Sequence, residues 1–345
     1  MRAESRTVWA TVICFLLGAV AGALALSGNP RPLAGDGSVG IPAATVAAII
    51  AAASFVVSTF MHRRGETKQM PRWQAIVSDV SAIALTIAFA GVTALGVLLA
   101  GEVLGAGLQG LELPASGGGM LTGVAAAVGG RFAFAAGIDL DTRDLAGLLF
   151  GYLIIGTLFA MITAADPRWW ERNFSQLGIG AGSWAFNGTL VVAGFLVATV
   201  GAYIGRDLHR LLGDGDLGRI AWVVVLWAAA GIALAAVGLV PLHRAFVAHN
   251  IAAFGTLVLL LAAAALTAVV TPGRPRPLVV TSVGVGTLLV AAVLAWEPLG
   301  VYSVTALEAI VVGLVLLWLT TFVRVLAVLA PGVSRPSLRV NLLRG

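Results

Sequence analysis

Apolar residues run along this chain in stretches of about twenty, broken by charges, proline or clusters of glycine. Ten stretches stand out, at 8–26, 41–61, 76–100, 119–137, 144–164, 183–205, 220–240, 249–270, 278–296 and 304–326. A helix that crosses about 30 Å of hydrocarbon needs roughly 20 residues of this kind. Backbone polar groups in lipid must be satisfied within the spanning structure, which leaves helices or closed barrels. The stretches lack the alternation over about ten residues that marks a barrel strand. The pattern predicts an all-α polytopic transmembrane helical bundle of about ten spans. A basic tail, 327–345, follows the last stretch. The fourth stretch is the least regular, being rich in glycine and carrying Arg131 in its second half.

Composition agrees with the pattern. Hydrophobic residues are 59% of the chain and charged residues 11%, with a mean hydropathy of +0.99. Soluble domains are about 25% charged, so a soluble class is excluded. The net charge of +5 therefore carries topological information and implies no nucleic-acid partner. With an even number of spans and a cytoplasmic N-terminus, Arg2, Arg6, Arg63, Arg64, Lys68, Arg72, Arg143, Arg206, Arg210, Arg219, Arg274, Arg276, Arg335, Arg339 and Arg344 fall on the cytoplasmic side. Only Arg31, Arg168, Arg172 and Arg244 fall outside, so the positive-inside rule predicts that both termini are cytoplasmic. The basic start, apolar core and Ala-Leu-Ala triplet of the first stretch also fit a cleaved signal peptide, and the other nine spans keep their orientation in either case. A basic set made almost wholly of arginine, with the heavy Ala and Gly load, points to a high-GC bacterial source and its cytoplasmic membrane. The one cysteine, Cys14, lies inside the first stretch, so neither an intrachain disulfide nor a multi-thiolate metal site can form.

On this topology the cytoplasmic segments HRRGETKQMPR and RDLHRLLGDGDLGR read as solvated basic connectors, and the unusual chemistry lies outside. ADPRWWERNFSQLGIGAGSWAFNG (165–188) joins spans five and six, and PLHRAFVAHN (241–250) and WEPLGVYS (296–303) share its side. Trp169, Trp170, Trp184 and Trp296 suit an interfacial belt, and DPRWWER fits a short in-plane helix capped by Asp166. A belt does not explain Asn187 and Glu308, about one turn inside spans six and ten, or Asn250 at the outer end of span eight. Polar groups at that depth need a partner or a wet cavity. The sharper expectation is that Asn173, Ser175, Asn187, His243, His249, Asn250, Glu297 and Glu308 converge on one outward-facing pocket. There His249 near Glu308 would form a titratable pair able to respond near neutral pH. Within the membrane, Asp79 near the start of span three and Arg131 in span four are expected to form a structural ion pair.

Short motifs add a resemblance. NFSQLG, a span opening SWAFNGTLVVAG, and HRAFVAHNIAAFG opening another span resemble a family of bacterial membrane proteins of unknown function, itself similar to the eukaryotic DRAM and Frag-type membrane proteins. The resemblance covers residues 145–325. It implies a six-helix module with a Ser-x-x-Gly loop outside and a His-Asn pair facing it, matching Ser175, Gly178, Asn187, His249 and Asn250. The resemblance thus implies a six-span module (145–326) preceded by a four-span N-terminal extension (1–144) that it does not explain and followed by the basic cytoplasmic tail (327–345), and it brings no established chemistry.

The chain contains no GxxxxGK[ST], HExxH or GxSxG, which argues against an ATP-driven pump, a zincin and an ordinary serine hydrolase. The leading expectation is an outward-facing site that binds membrane lipid, an amphiphile or a membrane-protein partner, with no cofactor. One alternative is a secondary transporter with proton coupling through His249 or Glu308, although no matched pair of broken spans is visible. The other is a membrane-embedded hydrolase with zinc on His243, His249 and a carboxylate such as Glu297 or Asp166. The six-residue spacing of those histidines matches no standard ligand motif.

Overall fold

A computed structural model describes residues 2–63 and 72–330. The loop HRRGETKQMPR, for the most part, and residues 331–345 of the basic tail lie outside the described residues. Ten helices account for nearly all of the rest: α1 (Arg2–Ala25), α2 (Gly40–Arg63), α3 (Arg72–Gly107), α4 (Ala115–Ile138), α5 (Thr142–Ile162), α6 (Ser183–Leu212), α7 (Leu217–Leu239), α8 (Phe246–Val270), α9 (Arg276–Trp296) and α10 (Val304–Leu329). Among the described residues, all ten are long and apolar enough to cross a membrane. The protein is a multi-pass membrane protein.

The helices form two compact units, Met1–Leu140 with Gly151–Ile162, and Asp141–Phe150 with Thr163–Gly345. In the first unit the glycines that weaken the fourth stretch as a helix by propensity are what let α4 pack. Gly119 and Gly123 lie against the α1 backbone near Ala19, and Gly130 lies against Cys14. Small residues permit this close approach where lipid supplies no hydrophobic drive between helices. On α2, Ser54 Oγ donates to Gly130 O at 2.8 Å and Ser58 Oγ donates to Phe134 O at 2.6 Å, a pair of bonds one helical turn apart on both helices. A two-residue antiparallel ladder, Arg31–Pro32 with Glu112–Leu113, lies beside a small cluster of Leu26, Val39 and Ala43.

That packing corrects the expected Asp79–Arg131 pair. Both residues are exposed, and no ion pair joins them among the described residues. The glycine face of α4 is taken by α1 and α2, and α3 touches α4 at Gly129, against Thr93. At about 100° per residue, Arg131 is turned some 200° away from Gly129 and so away from α3.

In the second unit α6 and α7 approach most closely. A side-chain carbon on Gly194 would collide with the Gly231 carbonyl, and one on Gly201 would collide with Trp227. Trp227 Nε1 donates to Thr267 Oγ1 on α8 at 3.1 Å, and Trp318 Nε1 on α10 donates to Ser282 Oγ on α9 at 2.9 Å. The sequence RDLHRLLGDGDLGR, read as a solvated connector, is instead largely helical, since α6 runs on to Leu212. Its Asp207 is buried, and it accepts hydrogen bonds from Thr142 Oγ1, Arg206 Nε at 3.0 Å and Arg210 Nη1 at 3.3 Å. A buried carboxylate requires such partners.

Candidate functional site

Between α5 and α6 the chain makes two short 3-10 turns, Trp169–Glu171 and Phe174–Gly178. Asp166 Oδ1 accepts from the Arg168 N–H at 2.9 Å, but the turn that follows has Arg168 as its N-cap and is a single 3-10 turn rather than the longer in-plane helix expected. Trp170 and Trp184 are exposed, while Trp169 packs on Phe174 with ring centroids 5.2 Å apart.

Three helices fasten this loop. From α10, Glu308 Oε2 accepts from the Phe174 N–H at 2.7 Å, and Thr305 Oγ1 donates to Trp170 O at 2.8 Å. From α6, Asn187 Nδ2 donates to Gly178 O at 3.2 Å. From α8, the buried His249 places Nε2 2.9 Å from Ser175 Oγ, while its Nδ1 lies 2.8 Å from Val240 O at the end of α7. Each anchor lies in the first two turns of its helix, where the chain begins its apolar run. Of the polar residues that look too deep for a belt, Asn187 and Glu308 reach back to the loop and Asn250 does not. At Gly178 close approach demands glycine, because a Cβ there would sit 2.5 Å from Asn187 Oδ1.

The chemistry of the histidine is set by its neighbours. A carbonyl oxygen only accepts, so Nδ1 carries the proton that bonds Val240 O. In that tautomer the Nε2 lone pair faces the Ser175 hydroxyl, which is then the donor. His249 and Glu308 are bonded to adjacent loop residues rather than to each other.

Five of the eight residues singled out from the sequence thus meet at the loop: Asn173, Ser175, Asn187, His249 and Glu308. Asn173 stands between the two turns, and its buried Oδ1 has no hydrogen-bond partner. Asn250 is half-buried beside His249, and His243 and Glu297 are exposed; their side chains join none of these bonds. Among the described residues no group of three His, Cys, Asp or Glu side chains could hold a metal ion, so the zinc alternative has no ligand set there. Sequence reasoning missed Thr305 and the Val240 carbonyl. A threonine at a helix start is too common to stand out, and a backbone acceptor leaves no mark in a sequence.

Residues 145–325, just over half of the chain, match the model of a family described as Protein of unknown function (DUF998). The chain belongs to the DUF998 family. The match runs from α5 into α10 and so takes in the loop and every helix that holds it. No curated protein and no solved structure matches this DUF998 chain.

Proposed function

We propose that this DUF998 protein binds a membrane lipid or similar amphiphile through the Trp169–Gly178 loop, on the extracytoplasmic face of a bacterial cytoplasmic membrane. The observation that carries the reading is Asn173 Oδ1, a buried acceptor with no partner. Such atoms are rare, and each costs about 1–3 kcal/mol unless something satisfies it. Its residue is half-buried, in an extended, non-helical conformation at the start of the second turn. The ligand that fits is a headgroup with an N–H or O–H donor, its chains lying against the exposed Trp170 and Trp184 at headgroup level. The loop is already fastened at Trp170, Phe174, Ser175 and Gly178, which lowers the ordering cost of binding. The side of the membrane rests on the distribution of Lys and Arg, and the bacterial source on composition. Kinship with the DRAM and Frag-type proteins rests on the NFSQLG, SWAFNG and AHN motifs.

The test is native mass spectrometry of the purified protein and its Asn173→Leu variant. The reading predicts that lipid carried by the natural protein falls several-fold in the variant, while thermal stability holds or rises because an unpartnered acceptor is gone. Equal lipid occupancy in the two proteins would overturn it.

A further inference from the structure

Ser175 and His249 are arranged for more than anchoring. The hydroxyl oxygen lies 2.9 Å from Nε2, and the opposite ring nitrogen is held at 2.8 Å by the Val240 carbonyl. Nucleophilic catalysis by serine needs these three parts: a hydroxyl, a base within hydrogen-bond reach, and a third group that fixes the tautomer and aim of the base. Burial divides along the same line. His249 is only 3% exposed, whereas Ser175 is half-buried, so the base is sheltered and the nucleophile sits nearer the surface. Glu308 grips the residue before Ser175 and Asn187 grips Gly178 three residues after it, which fixes the hydroxyl along the loop.

We infer that Ser175 and His249 form a nucleophile–base pair for acyl transfer from an ester, with membrane-lipid acyl esters as the substrate class. As Ser175 Oγ bonds to the ester carbonyl carbon, its proton passes to His249 Nε2. The carbon–oxygen bond to the alcohol then breaks, and that oxygen leaves with the proton from Nε2. Water attacks the acyl-serine and gives one proton to Nε2, which returns it to Ser175 Oγ as the acid departs. The sum is ester plus water giving acid plus alcohol, with no oxidant or reductant. A carbonyl in the third position sets the tautomer but carries no charge to steady the imidazolium, so the pair is slower than one backed by a carboxylate. The absence of GxSxG is no obstacle, since such pairs are defined by geometry and roles rather than by sequence position.

The substrate class depends on the lipid-binding reading, while the pair stands on Ser175 and His249 alone. The experiment therefore uses a small water-soluble probe. The full chain in detergent is incubated with a fluorophosphonate, and the adduct is located by peptide mass spectrometry. The expected result is an adduct on Ser175 that is absent in Ser175→Ala and forms about 10²–10⁴-fold more slowly in His249→Asn, a change that keeps a donor for Val240 O and removes the base. Should His249→Asn fail to fold, Ser175→Cys with His249 intact replaces it, and its thiol is expected to alkylate faster than the same chain carrying cysteine at exposed Trp170. No adduct on Ser175, an undiminished rate in His249→Asn, or an ordinary thiol at position 175 would overturn the inference. An adduct on Ser175 in a protein that carries no lipid would remove the lipid reading and leave the pair.

Discussion

Replacement of His249 by three different side chains separates its two bonds. Alanine removes both, together with a ring that is 3% exposed. At about 1 kcal/mol net for each bond and about 1 kcal/mol for the space left by the ring, the loss is about 3 kcal/mol. Asparagine reaches as far as Nδ1 and keeps a donor for Val240 O; glutamine reaches as far as Nε2 and keeps a partner for Ser175. The two are not equivalent. The Ser175 hydroxyl can rotate to another acceptor, whereas the Val240 carbonyl is fixed at the end of α7. Asparagine is therefore expected to restore about 1 kcal/mol or more and glutamine less, giving the order natural protein, Asn, Gln, Ala. Reversible unfolding in mixed micelles, followed by tryptophan fluorescence, measures it. An alanine variant within about 0.5 kcal/mol of the natural protein, or glutamine more stable than asparagine, would refute the assignment of Val240 O as the fixed partner.

Gly178→Ala and Asn187→Ala should couple. Each alone destabilises by about 1–2 kcal/mol, but the double variant loses less than the sum because the second change removes the collision created by the first; strict additivity in a double-mutant cycle would contradict the contact. Gly194→Ala drives a methyl group into the Gly231 backbone, which cannot move aside, so a loss of about 1–3 kcal/mol is expected in the same unfolding assay. Because the one native thiol, Cys14, is buried, single cysteines report sidedness cleanly. Trp170→Cys should react with a membrane-impermeant maleimide in intact cells and Arg219→Cys only after permeabilisation, and the reverse pattern would invert the topology.

The spans were legible because length and apolarity alone decide whether a helix can cross lipid, and the helices keep close to the stretches read from the sequence. Depth also singled out Asn187 and Glu308, since a polar group just inside a span signals a partner, and it singled out Asn250, whose side chain joins none of the loop's bonds. What depth could not supply was the partner's identity. The anchors meet backbone groups at Trp170, Phe174, Gly178 and Val240 and a side chain only at Ser175, and every residue type carries a backbone carbonyl. Two departures share a cause. Arg131 was matched to Asp79 because α3 and α4 are consecutive, yet α4 packs its glycine face on α1 and α2. Asp207 was read into a loop because charges cluster around it, yet Arg206, Arg210 and Thr142 let it stay buried within α6. Neighbourhood in space, rather than character along the chain, decided both.

The most direct test of a lipid site at the Trp169–Gly178 loop is an experimental structure of the protein in a native-lipid nanodisc. The account predicts a headgroup donor within hydrogen-bonding distance of Asn173 Oδ1, with acyl density beside Trp170 and Trp184. A structure in which Asn173 Oδ1 is satisfied by water or by another side chain, with no lipid at the loop, would contradict it.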